Sequence, residues 1–245
     1  VQILISAKNN DYLCHMKRDD FFFLAGALAV FTPFFLFADL YRWYVEANRV
    51  YPYLMAFCKF AILATAGESL GLRLQKGRYN QSGFGLFSRA VVWGFLGIWI
   101  AAAMKLYAAG GPRFLEGLGI SGVATAMSGG FSGIKLLGAF SISVWMNTTF
   151  APIFMTCHKV TDAHILKNGG SPKALVTPLR FGALLSEIDW KKQWNFVFKK
   201  TIPLFWIPAH TVTFLLPSQW QVLFAALLGV VLGVLLSVAA VKQRN

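Results

Sequence analysis

The sequence predicts an all-α membrane protein: a polytopic helical bundle of about six transmembrane helices plus one amphipathic interfacial helix. Three observations carry this. Of the 245 residues, 56% are hydrophobic and only 13% charged, about half the charged fraction of a soluble domain. The apolar residues fall in runs of roughly 20, the length a helix needs to cross a ~30 Å hydrocarbon core, and not in the alternating pattern of a barrel. The 23 Lys and Arg flank those runs, as topology signals do.

In chain order, a polar segment over residues 1–20 precedes a single transmembrane domain, 21–241, and a basic tail, 242–245, closes the chain. Residues 1–15 read as leader or upstream translation before Met16-Lys17-Arg18. The first span, 21–40, contains Pro33 as an expected kink. Span two is 53–72 and span three 90–109, followed by a glycine-rich stretch, 110–133, read as a flexible loop or re-entrant piece. Span four, 134–157, is interrupted at Pro152. A long basic connection, 158–200, follows. Its segment 184–200 places Leu184, Ile188, Trp194 and Phe198 near helical spacing among lysines, the mark of a helix lying in the interface. Span five, 202–216, carries Pro203, Pro208 and His210, and span six, 222–241, is uncharged.

Charge sorts these spans by side. With both termini on one face, the opposite face holds only Arg42, Arg49 and Arg113, while Lys59, Lys105 and Lys135 fall within spans; every other Lys and Arg is on the side of the termini. That bias makes the terminal side cytoplasmic, or matrix, and requires an even number of spans. The net charge of +13 is therefore read as topology signal and attraction to anionic head groups, so membrane lipids are the expected partners and nucleic acid is not.

Candidate chemistry is sparse. Cys14, Cys58 and Cys157 are far apart and no CxxC or HxxxH occurs, so neither a metal site nor a cofactor is expected. Gly117 to Gly122 matches GxGxxG literally without a surrounding βαβ unit and is read as a loop. Cys157 and His158 are adjacent, which turns them apart on a helix, and no third orienting group is apparent. No catalytic residue is expected, and the chain is not read as an enzyme.

Polar residues inside spans are more informative, because a charge at the bilayer centre costs about 3 kcal/mol on insertion scales. Lys59 and Glu68 share span two but lie on opposite faces, and Glu68 is expected to pair with the basic corner at Arg73 or with Arg89. Asn147 in span four and Trp206 and His210 in span five form two polar, kinked regions that could face one another and line a narrow wet path. Ala225, Gly229, Gly233 and Ser237 recur every four residues along span six, a groove for close helix packing and, alternatively, a seam for a second copy of the chain.

Some of these residues also carry a family resemblance over roughly 51–237. Tyr51-Pro52 followed by Gly67-Glu68, then Phe150-Ala151-Pro152, then Trp206, Pro208, Phe214, Pro217 and Gln219, with Val222-Leu223-Phe224 and Leu236-Ser237, resemble in order and spacing the motifs of the 22-kDa peroxisomal membrane protein family, which includes mitochondrial inner-membrane members of the Mpv type. Glu68 stands where the family has Asp, Met146-Asn147 replaces Asp-Gln, and Ile207 splits its Trp-Pro, so the chain resembles a divergent, prokaryotic-type relative. The resemblance implies a multi-span, non-enzymatic protein that passes small solutes across a membrane. The expected function is thus a small-solute channel or permeation pathway lined by Glu68, Asn147, Trp206 and His210. Two alternatives are a membrane-integral enzyme acting on lipid through His210, Cys157 or Glu68, and a structural or assembly protein without a pore.

Overall fold

In the computed structural model, residues 17–242 are described, with side chains as far as residue 235. The expected polar segment before residue 17, including Cys14, the small side chain of Ser237 and the end of the basic tail lie outside the described residues. Eight principal helices are α1 (Arg18–Leu36), α2 (Ala38–Val50), α3 (Pro52–Lys76), α4 (Leu86–Gly117), α5 (Gly133–Trp145), α6 (Ala151–Lys167), α7 (Ile207–Leu215) and α8 (Ser218–Lys242). Among the described residues there is no strand. Five stretches are long and apolar enough to cross a membrane: α1, α3, α4, the continuous 35-residue run Gly133–Lys167 and α8.

The remaining predicted span, span five (202–216), differs. It is the upper part of one longer helix, in which Trp190–Lys192 leads into a 14-residue π-wound segment, Gln193–Trp206, that continues into α7. Residues 190–200 of the predicted interfacial helix and span five are therefore one element, whereas Leu184 belongs to a separate short helix, Phe181–Ser186. Hydropathy could not foresee this, because α and π winding differ in hydrogen-bond register and not in residue type. Other boundaries move for local reasons. Pro33 sits inside α1, which runs on to Leu36; the break falls at Phe37, whose extended backbone starts α2. The glycine-rich stretch is not all loop, since α4 continues through Gly110, Gly111 and Pro112 to Gly117. A Cβ on Gly111 would stand 2.9–3.1 Å from Ile142, including its backbone, so this glycine serves helix contact. Span four extends ten residues past Cys157 to Lys167, with a π turn, Met146–Phe150, just before Pro152.

α3 is the hub. Tyr51-Pro52 opens it with proline in the first turn, where a missing N–H costs nothing, and Gly77 at φ 74° closes it. It packs against α4 on one side and α8 on the other; α4 also meets α5, and α5 meets α7. Small residues set the approach. Gly94 and Gly97 of α4 receive the rings of Phe57 and Phe60, and Gly67 lies against Val230 of α8. The core so formed holds Phe60, Leu63, Ala64, Ile100, Met104, Ala139, Ile142, Met146, Phe214 and Ala226. α1 buries none of its residues, presenting Phe21, Phe22, Leu28 and Phe35 outward as a lipid-facing helix does. It is tied down at its start: Asp20 accepts from Arg73 Nε (2.6 Å), from Arg73 Nη2 (2.5 Å) and from Tyr79 Oη (2.9 Å), and Phe23 stacks on Tyr79 at 4.7 Å. In the loop after α3, burial and then the bond to the Asp20 carboxylate push the Tyr79 phenol up to about 12.

Candidate functional site

A cavity of about 590 Å³ lies among α3, α4, α6, the π-wound segment and α8. Its lining on α3 runs from Phe60 to Gln75, which at 1.5 Å per residue is about 22 Å. The cavity is a slot. Gln75 and Lys159 at its lower end are exposed. At the other end the lining stops at one level on five helices: Phe60, Ile100, Met146, His210 and Ala225. One turn beyond stand Ala56, Met104, Ile142 and Phe214, each at most 3% exposed. An apolar plug therefore closes the slot toward one side.

Four ionisable side chains from three helices meet on its wall. Arg89 of α4 donates through Nη1 to Glu68 Oε2 of α3 (2.5 Å) and Asp162 Oδ1 of α6 (2.7 Å), and through Nε to the Phe84 carbonyl (2.7 Å). His158 Nε2 lies 3.1 Å from Glu68 Oε1 and 3.6 Å from Asp162. Trp93 donates its indole N–H to Glu68 (3.1 Å), and its ring lies 4.4 Å from the His158 ring. Helical geometry makes this possible: His158 and Asp162 are four residues apart, one above the other on α6, as are Arg89 and Trp93 on α4. Charges this deep persist only when paired and hydrogen-bonded, and each carboxylate here has a cation or donor. Glu68, His158 and Asp162 offer ligand atoms within 4.8 Å of one another, a spacing that could hold a metal ion. Arg89 already bridges the two carboxylates, so a divalent ion would have to displace the guanidinium.

A second polar group stands at the plugged end. Asn147, fully buried in the π turn, donates to the Ser143 carbonyl (2.8 Å), and its side chain meets His210 Nδ1 of α7, 3.0 Å from Nδ2 and 3.1 Å from Oδ1. The assignment that satisfies most groups has Nδ1–H donating to Oδ1 while Nδ2 serves Ser143. Trp206 stacks on His210 at 5.1 Å. Ser143 Oγ donates to the Ile207 carbonyl (2.7 Å), which also accepts from Thr211 Oγ1 (2.7 Å). Two buried nitrogens that belong to lining residues, Gln193 Nε2 and Trp206 Nε1, have no hydrogen-bond partner among the described residues.

Glu68, Asn147, Trp206 and His210 thus all line one cavity, as do Ala225, Gly229 and Gly233 of α8. Gly67 and Gly233 approach each other, whereas a Cβ on Gly229 would meet nothing within 4 Å and faces open space. Of the two partners expected for Glu68 the structure selects Arg89, because Arg73 is occupied by Asp20. Lys59, on the opposite face of α3 from Glu68, reaches Asn48 and lies over the Tyr44 ring. Glu68 and His210 do not meet; each has its own partners. Sequence reasoning missed His158 and Asp162, which it placed in a loop, and so judged that His158 had no orienting group. The available signal was the His-x-x-x-Asp spacing on an amphipathic continuation of span four.

These features define a polytopic helical membrane protein whose bundle lines an elongated slot, with one charged and one hydrogen-bonded group set in a mostly apolar wall. Comparison of the chain with protein-family models, with curated proteins and with solved structures finds no match. The motif residues of the resemblance nevertheless have evident local roles. Tyr51-Pro52 starts α3, Gly67-Glu68 sets the α8 contact and the charged group, Phe150-Ala151-Pro152 ends the π turn, and Trp206 to Pro208 joins π to α winding.

Proposed function

We propose that this protein is a small-solute permeation pathway of the membrane it inhabits, held closed in this conformation, with Glu68, Asn147, Trp206 and His210 on its wall. The observation that supports this best is the slot, about 22 Å long against a ~30 Å hydrocarbon core, with an exposed lower mouth and a plug of four side chains at its inner end. An elongated cavity of about 590 Å³ favours small solutes over bulky ones. The polar groups serve passage by replacing water along the wall, as irregular backbone and buried polar groups do only where they line a cavity. The resemblance to the 22-kDa peroxisomal membrane protein family points the same way, and the positive-inside bias of the sequence favours both termini on the cytoplasmic or matrix side.

The test is flux. Purified protein reconstituted into liposomes should release small neutral and charged solutes faster than empty vesicles, and shortening the plug with Phe214→Ala should raise the rate. Release no faster than from empty vesicles between pH 5 and 8, for both proteins, would refute the proposal.

A further inference from the structure

The wall of the slot is incomplete. α8 packs along α3, whereas the π-wound segment opposite it makes its main contacts with its own flanks and the Met146–Phe150 turn among the described residues. Gly229, Leu232 and Gly233 of α8 line the slot and are only partly covered, as are Val197 and Trp206 across from them. Only about a tenth of the spanning part of α8 is buried. The slot is therefore open along its side toward the lipid. Its walls are mostly apolar, with Phe60, Ala64, Ile100, Met146, Phe150 and Phe154 along its length. Hydrogen-bonding groups mark the mouth.

We propose that this side slot binds one single-chain anionic amphiphile, a long-chain carboxylate, whose hydrocarbon chain completes the missing wall. Shape is the first argument: a straight polymethylene chain fits an elongated, mostly apolar space about 22 Å long that is open along its side. Gly229 is the second, because its side faces open space at the point where a chain would lie between α8 and the π-wound segment. The head group follows from charge. Lys159 lines the mouth, is exposed and makes no ion pair among the described residues, whereas Glu68 and Asp162 are neutralised by Arg89. Gln193 is the third argument. It is 96% buried by a relative exposure of 4%, belongs to the lining, and its Nε2 is a donor without an acceptor among the described residues. An acidic head beside Lys159 supplies one. A cationic amphiphile would meet Lys159 and a donor already in need of an acceptor.

The inference does not depend on solute passage, because binding is read directly. The full chain in phosphatidylcholine nanodiscs is titrated with cis-parinaric acid, a fluorescent long-chain carboxylate. Saturable binding of one probe per chain, beyond partition into protein-free nanodiscs, is expected, with displacement by palmitate and not by an alkyltrimethylammonium of equal length. Gly229→Phe, which fills the slot where nothing now stands within 4 Å, should weaken binding at least about tenfold, equivalent to about 1.4 kcal/mol. Gly110→Phe, another glycine with open space around it but outside the slot, should leave binding unchanged. Lys159→Glu, at an exposed position that folding does not need, should weaken the carboxylate and spare the cationic amphiphile. Non-saturable uptake, wild-type binding by both Gly229→Phe and Lys159→Glu, or equal displacement by the cationic amphiphile would overturn the proposal.

Discussion

Replacing Arg89 by leucine leaves Glu68 and Asp162 facing each other without their shared cation. Arg89 donates 2.5 Å and 2.7 Å bonds to the two carboxylates and a third, 2.7 Å, to the Phe84 carbonyl, with 7% of its side chain exposed. Breaking a buried pair by deleting one partner costs about 3–5 kcal/mol. The carboxylates are about a fifth exposed, which lets water share the load and puts the expected loss near the lower end, about 3 kcal/mol. For a chain of this size that is a fall in Tm of about 6–12 °C, measured by thermal unfolding of the purified protein in nanodiscs. The control is the triple variant Arg89→Leu, Glu68→Gln, Asp162→Asn. Removing both uncompensated charges should recover half or more of the loss, because the penalty comes from orphaned carboxylates and not from the missing guanidinium. Arg89→Lys keeps the charge but loses the fork and the carbonyl bond, for a loss of about 1–2 kcal/mol. An Arg89→Leu protein within about 0.5 kcal/mol of wild type, or a triple variant no better than the single, would refute the reading of this group as a mutually neutralising network.

Three further outcomes are expected. Asn147→Ala removes the partner of His210 Nδ1 in a fully buried site and should cost about 1–3 kcal/mol, with a change in the His210 ring resonances by NMR; unchanged resonances would separate the two residues. Phe214→Ala takes the largest side chain out of the plug and should destabilise by about 3–5 kcal/mol, read as a lower Tm. The third concerns alkaline pH. Because the Tyr79 phenol holds its proton to about 12 while an unfolded tyrosine loses it near 10, the unfolded state binds fewer protons between those values. Stability should fall as pH rises from about 10 to 12, and Asp20→Asn should lower the pH at which the tyrosinate absorbance of Tyr79 appears.

The helical membrane class is legible because long apolar runs with flanking charge admit no other packing. Glu68 is legible too, since a lone acid in an apolar helix demands a cation and the sequence offers few. What stayed hidden depended on winding and on boundaries. A hydropathy profile ends span four at Cys157, where charge begins, yet the helix runs on because Asp162 and His158 are compensated by Glu68 and Arg89 from other helices. Glycines at 110 and 111 read as flexibility, and the helix uses Gly111 for contact with Ile142. Asn147 and His210, 63 residues apart, are each visible as a polar residue near a proline; only the fold makes them a pair. The π-wound segment left no compositional trace.

The charged group on the slot wall also constrains how the protein can be made. Glu68 arrives on α3, Arg89 on α4, and His158 and Asp162 on α6, so no one of these helices enters the lipid with its charges balanced. An isolated one would carry an insertion penalty of about 2.5–3.5 kcal/mol for each buried acid or arginine. α3 and α4, separated by a short loop, can cancel most of this as a hairpin leaving the translocation machinery together. Asp162 is matched only when α6 follows, some 70 residues after Arg89. The segment from α3 to α6 is thus a unit of insertion as well as a unit of structure, and a ribosome stalled between them would leave the hairpin in the bilayer without its second carboxylate.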